Sequence, residues 1–341
     1  MKNIKKIGLT ALAASLVSTS VFAGEMSVSG SAGINWENYS TGDLGVNDTS
    51  LASTSTKSFS MGNQLTFSGS GELDNGLNVS LSFVLDQNDD STAAGAAYSG
   101  GPFDGHSVTV SSDAMGSLTY YGEGGDSAQN AVGDTAAGNI WDNFDARVTG
   151  AATLSESQAG NNIMHYTLPS LVDDLTVAVS YTPAGANDES SSAFGLTYAG
   201  VEGLSVSYGQ GSADGDAAGS GGTAANSDTT SLKASYAIGS FTLAYSDHDH
   251  DSNTDTSDQT ATSWKVSYTV SDAVSVTYGT ESLDSAATAD TSDAEYTKIT
   301  ASHTSGGMTV SANYQEATEM SYTTATDEDE EYYGLSLSFA F

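Results

Sequence analysis

Along residues 331–341 the chain alternates with a period of two. Tyr333, Leu335, Leu337, Phe339 and Phe341 fall on one side of an extended strand, and Gly334, Ser336, Ser338 and Ala340 fall on the other. One face suits an apolar medium, the other water or close-packed small groups. The pattern recurs upstream: Leu65 and Phe67 alternate with Thr66 and Ser68, Asp74-Asn75-Gly76 makes a tight turn, and Leu77, Val79, Leu81, Phe83 and Leu85 return on one face. Followed through the chain, it predicts sixteen strands, at 26–36, 59–73, 77–85, 106–111, 117–121, 162–168, 175–182, 193–199, 204–208, 229–237, 241–246, 262–270, 274–279, 295–303, 308–314 and 331–341. The pair at 106–111 and 117–121 has the least defined boundaries, so fourteen and eighteen strands stay open as alternatives.

The connections alternate in length. Short turns at 74–76, 112–116, 169–174, 200–203, 238–240, 271–273 and 304–307 fall at one end of the strands. Long polar stretches at 37–58, 86–105, 122–161, 183–192, 209–228, 247–261, 280–294 and 315–330 fall at the other. A Greek-key sandwich gives no reason for this segregation. An up-and-down barrel in an outer membrane does, and in hydrocarbon such a sheet has to close, because a free edge leaves backbone groups unpaired. The expected fold is all-β: a 16-stranded antiparallel transmembrane β-barrel with short periplasmic turns, long outer loops and both chain ends on the periplasmic side.

Residues 1–23 carry the parts of an export signal: Lys2, Lys5 and Lys6, an apolar run from Ile7 to Val17 and the small-residue site Val21-Phe22-Ala23. Cleavage after Ala23 leaves 24–341 as a single barrel domain. The apolar run is too short to span a bilayer. The chain has no cysteine, which excludes a disulfide framework and a lipidated cysteine. Outside the leader, five basic residues face 43 acidic ones, a balance that disfavours nucleic acid and anionic lipid surfaces as partners. Acidic disordered chains are poor in aromatics, whereas 17 Tyr, 10 Phe and 3 Trp recur here inside alternating runs, which argues for sheet.

Candidate functional residues follow from which face each occupies. The neighbours of Lys233, Lys265 and Lys298 are apolar on the opposite face, which puts all three lysines on the lumen side. A lipid-facing lysine near the midplane costs about 2–4 kcal/mol. The connection after Tyr121 holds Glu123, Asp126, Asp134, Asp142 and Asp145, the apolar cluster Ile140, Trp141 and Phe144, and Arg147, the only arginine. Two readings stay open: an exposed surface loop, or a segment folded inward with Trp141 and Phe144 anchored on the wall and its carboxylates across the channel. Asp247, Asp249, Asp251 and Asp255, with His248 and His250, are weak candidates for loose calcium or magnesium coordination in an outer loop, as is the acidic run 327–331. The spacing does not support zinc, and no cofactor is required. His106, His165 and His303 are isolated, so no nucleophile, base and orienting partner are visible and no enzyme is expected.

The leader, sixteen alternating strands, the long third connection with Gly122-Glu123-Gly124-Gly125-Asp126 and the terminal Phe341 together resemble the Gram-negative general porins, particularly the trimeric alphaproteobacterial branch. The resemblance covers essentially the whole chain. It implies an outer-membrane homotrimer whose third loop narrows each pore, with Glu123, Asp126 and Asp134 as loop acids and Lys233, Lys265 and Lys298 as wall residues. It further implies that the barrel assembly machinery recognises Phe341 and its strand, with membrane lipids as surroundings and small hydrophilic solutes and cations as cargo. The chain departs from the family in having a single arginine outside the wall, and lysine does not replace the planar guanidinium fork. The expected function is a passive, cation-preferring diffusion pore. The alternatives are a substrate-specific channel and a non-conducting surface structural or adhesin barrel.

Overall fold

The computed structural model describes residues 25–41, 57–86, 104–144, 154, 159–183, 190–214, 226–253, 257–286, 292–322 and 329–341. The export signal expected at 1–23 and the candidates Asp145, Arg147 and Asp255 lie outside the described residues, as do Asp327 and Glu328 of the acidic run.

Sixteen strands form one closed antiparallel barrel. They are β1 Glu25–Thr41, β2 Lys57–Glu72, β3 Asn78–Asp86, β4 Gly105–Ser112, β5 Gly116–Glu123, β6 Ile163–Thr167, β7 Leu175–Thr182 and β8 Ser190–Val201. The second half is β9 Leu204–Asp214, β10 Ser227–Ile238, β11 Phe241–Ser252, β12 Gln259–Ser271, β13 Val274–Ser285, β14 Ala294–Ser305, β15 Met308–Thr318 and β16 Glu330–Ala340. Each strand pairs with its neighbours in sequence, and β1 pairs with β16 from Ser31↔Ala340 to Thr41↔Glu330. The final residue completes that seam: Gly30 N donates to Phe341 O at 2.8 Å and Phe341 N donates to Gly30 O at 3.0 Å. The Phe341 ring occupies the space where a side chain on residue 30 would stand, since a Cβ there would come 2.7 Å from its Cε2.

The alternation sorts the residues as the pleat requires. Val28, Ile34, Leu232, Leu243, Trp264 and Leu335 are exposed on the outer face, while serines, threonines and glycines occupy the inner one. Aromatic pairs brace neighbouring strands, as in Phe241–Tyr268 and Tyr314–Tyr333, with ring centroids 4.8 and 5.2 Å apart. Among the described residues no helix is long and apolar enough to cross a membrane.

Several strands run further than the hydrophobic pattern predicts. β9 continues to Asp214, β11 to Ser252 and β13 to Ser285, where the pattern stops at 208, 246 and 279. Beyond the hydrocarbon zone both faces meet water, so apolar alternation ends while the hydrogen-bond ladder continues. This corrects the placement of Asp247, Asp249 and Asp251, which belong to β11 and not to a loop. Their strand separates them from the histidines: Asp247 shares the outer face with Tyr245, whose hydroxyl donates to it at 3.3 Å, whereas His248 is buried on the inner face against Ser231. Among the described residues no group of three or more His, Asp or Glu side chains is arranged to hold a metal ion.

The face assignment has a direct test. Leu335→Arg, on the outer face near the middle of β16, is expected to lower folding stability by about 2–4 kcal/mol, and Ser336→Arg, on the inner face, by much less. Urea titration of the barrel refolded into lipid vesicles measures both; equal losses would reverse the assignment.

Candidate functional site

The connection between β5 and β6 enters the barrel. At its base Gly125–Asp126 pairs with Ala159–Gly160, and two short 3-10 turns follow at Ala128–Ala131 and Ile140–Asn143. The bend between the turns is built from its own residues. Gly133 and Gly138 take positive φ of 62° and 88°, Asn139 takes 45°, and the Asn139 side chain accepts Thr135 N at 3.0 Å. The Thr135 hydroxyl accepts Gly138 N at 3.2 Å and Asn139 N at 2.9 Å and donates its own proton to Glu281 Oε1.

An irregular backbone inside a barrel leaves N–H groups that secondary structure does not satisfy. Here the wall supplies the acceptors. Ala128 N donates to Ser180 Oγ of β7 at 2.8 Å, Ala136 N to Ser246 Oγ of β11 at 2.8 Å, and Ala137 N to Ser263 Oγ of β12 at 2.9 Å. Glu281 of β13, only 1% exposed, accepts Ile140 N at 2.6 Å and Trp141 N at 3.3 Å in addition to Thr135. A buried carboxylate needs such donors, and these three come from the loop it holds. Further round, Asn143 Nδ2 donates to Gln315 Oε1 of β15 at 3.0 Å, and Tyr39 of β1 donates to Asn143 O at 2.9 Å.

Close approach needs the wall to be thin. A Cβ on Gly195 would lie 1.8 Å from Ala128 O, one on Gly209 2.6 Å from Gln129 O, and one on Gly279 2.7 Å from Ala137 Cβ. Ile140, Trp141 and Phe144 are buried in a cluster with Leu283, Tyr296 and Met320 of the wall side. Phe144 lies 5.9 Å from Tyr296 and 6.4 Å from Tyr39, centroid to centroid. Tyr296 is therefore packing beneath the loop and not a surface for passing solutes.

The sequence candidates separate into three groups. Asp126, Asp134 and Asp142 are exposed on the docked segment while its back lies against the wall. Glu123 stands apart at the end of β5, with Oε2 3.9 Å from His106 Nδ1. The three lysines lie on the wall that carries the loop: Lys233 Nζ donates to Asp134 O at 2.8 Å and Val132 O at 3.4 Å, and Asp134 interacts electrostatically with Lys233 and Lys298. Each lysine sits two residues below a wall residue that touches the loop region, Ser231, Ser263 and Tyr296. Between β1 and β6 the only lysine is Lys57, on the outer row with Phe59 and Met61. The sequence reading missed Glu281 and the three serines. The inward order Gly279, Glu281, Leu283 was the available signal for Glu281, once β13 is allowed to run past 279.

A closed sixteen-stranded barrel, apolar outside and polar inside, with one loop strapped into its lumen, defines a membrane channel of the outer-membrane type. The family of Gram-negative porins matches residues 8–341, and the chain belongs to that family. It is thus a transport protein of the Gram-negative outer membrane, crossing it many times, and not an enzyme. In structure it is similar to OmpT of Vibrio cholerae lacking loop L8, at 15% identity and TM-score 0.66, covering 94% of this chain and 100% of that one. It is similar also to the anion-selective porin of Comamonas acidovorans, at 15% identity and TM-score 0.64, covering 93% and 100%. A mutant of the Rh. blastica porin aligns at 16% identity and TM-score 0.62, with coverage of 93% and 100%. At these identities the likeness carries the fold alone. No curated protein matches the chain in sequence.

Removing the Glu281 carboxylate strands loop donors in a buried site, at about 1–3 kcal/mol each. Glu281→Ala is expected to leave barrel melting nearly unchanged, to raise open-channel current noise and to admit protease within 124–162. A quiet, protease-resistant variant would show that the loop is held without it.

Proposed function

We propose that this porin is a passive diffusion channel for small hydrophilic solutes that prefers cations. The observation that carries the proposal is the placement of charge around the docked loop. Asp126, Asp134 and Asp142 are on its solvent side, the lysines lie on the wall behind it, and the strands from β1 to β6 hold no lysine or arginine on their inner row. An anion-selective porin from Comamonas acidovorans shares the fold, so the fold leaves the sign of selectivity open and the charges decide it. Among the described residues Asp134 is partly offset by Lys233 and Lys298 behind it, while Asp126 and Asp142 meet no lysine on the inner row of β1 to β6, inside a chain of formal charge −35.

The remaining features fit the same reading. The protein is exported with removal of 1–23, assembles as a homotrimer and takes its place in the alphaproteobacterial branch of the porins. Its short turns face the periplasm and its long loops face outside. The barrel assembly machinery reads Phe341, which sits at the closing seam of β1 and β16. Any calcium or magnesium in the outer loops is loosely held and not needed for conduction.

Reversal potential across a planar bilayer under a KCl gradient tests the preference. The wild type is expected to favour potassium, and Asp126→Asn with Asp142→Asn to lower the potassium-to-chloride permeability ratio by about twofold or more. Anion-favouring reversal in the wild type, or no shift in the variant, would overturn it.

A further inference from the structure

Beneath the docked loop, toward the short-turn end, lies a cavity of about 300 Å³ that the diffusion reading does not use. Its charge comes from Lys265 of β12 and Lys298 of β14, both half-buried. The register puts Gly279 of β13 directly between them, paired with Lys265 on one side and Lys298 on the other. Adjacent strands are about 4.8 Å apart, so the two lysine backbones stand roughly 10 Å from each other across a residue with no side chain. Gly279 leaves the floor open, and Ala137 of the loop closes the top.

Polar side chains complete the lining. Thr277, Thr300 and Asn313 add two hydroxyls and an amide from three successive strands. Among the described residues neither Lys265 nor Lys298 is tied down by a hydrogen bond, in contrast to Lys233, which is fixed on loop carbonyls. The carboxylate of Glu281, which accepts Thr135, Ile140 N and Trp141 N, also interacts electrostatically with Lys298, as does Asp134, so Lys265 is the lysine of the pair with the less compensated charge. Two ammonium groups, two hydroxyls and an amide around a space worth about ten waters, at ~30 Å³ each, match a small, doubly charged oxyanion.

We infer that Lys265 and Lys298 form a binding subsite for a small divalent oxyanion, of the sulfate or hydrogen phosphate class, on the short-turn side of the loop. The inference rests on the reading of the barrel as an open channel. In a pore that prefers cations such an anion is retained beside the ion path, where it reduces the current instead of carrying it. Two charges on the ligand matter, because they engage both ammonium groups at once and a monovalent anion engages one.

The test is conductance of the full-length protein in a planar bilayer, in KCl to which potassium sulfate is added at constant ionic strength. A fall in current with sulfate, absent with gluconate, is expected in the wild type and in Lys57→Gln. In Lys265→Gln and in Lys298→Gln the half-blocking sulfate concentration is expected to rise about tenfold or more. Their conduction in plain KCl shows that the variants are folded. A conducting wild type indifferent to sulfate, or block as strong in both lysine variants as in the wild type, would overturn the subsite while leaving the channel reading intact. A wild type that does not conduct at all would overturn the channel reading, and the subsite argued from it.

Discussion

Every backbone N–H and C=O that leaves water has to find a partner within the protein, and this requirement shapes the structure twice. In the membrane it closes the sheet. The last bonds of that closure are made by Phe341 itself, whose backbone exchanges hydrogen bonds with Gly30. In the lumen it acts on a segment with hardly any regular structure, and the solution is to lend that segment acceptors from the wall. Ser180, Ser246, Ser263 and Glu281 receive backbone N–H groups of a loop that could not satisfy them alone.

Small residues on the inner wall follow from the same requirement. Hydrogen bonds of about 2.8 Å from a loop backbone to a strand side chain demand that the two come within serine's reach. Gly195, Gly209 and Gly279 provide the depth, since a Cβ at any of them would collide with the loop. The apolar side chains then seal the far part of the segment, with Phe144 between Tyr296 and Tyr39. What is left for the solvent side is the charged remainder, Asp126, Asp134 and Asp142. The charge seen by a permeating ion is thus a by-product of which loop residues the wall can accept.

The sheet was legible in the sequence wherever lipid bathes one face, because there the period of two is enforced by transfer energy. Leu335 against Ser336 and Trp264 against Lys265 are read without ambiguity. Above that zone the same strands lose the signal. Asp247 to Asp251 therefore read as a loop and as possible metal ligands, when the ladder of β11 in fact splits their side chains between two faces. Trp141 and Phe144 stood out as anchors because aromatics in an acidic connection need a place to go. Glu281 did not stand out, because its role depends on a partner 140 residues away along the chain. Strand alternation assigns each lysine a face, but which side of the lumen the loop occupies depends on long-range contacts that alternation does not encode.

The central claim is that the loop is a fixed part of the pore wall. The absence of native cysteine makes this directly measurable with Ala137→Cys and Gly279→Cys together. Their Cβ positions, 2.7 Å apart before any adjustment, need to relax only to the ~3.5–4.5 Å of a disulfide. Mild oxidation is expected to cross-link the pair completely while single-channel conductance stays the same before and after. Failure to cross-link in a folded, conducting variant, or a large change in conductance on oxidation, would mean that the loop does not rest where the wall holds it here.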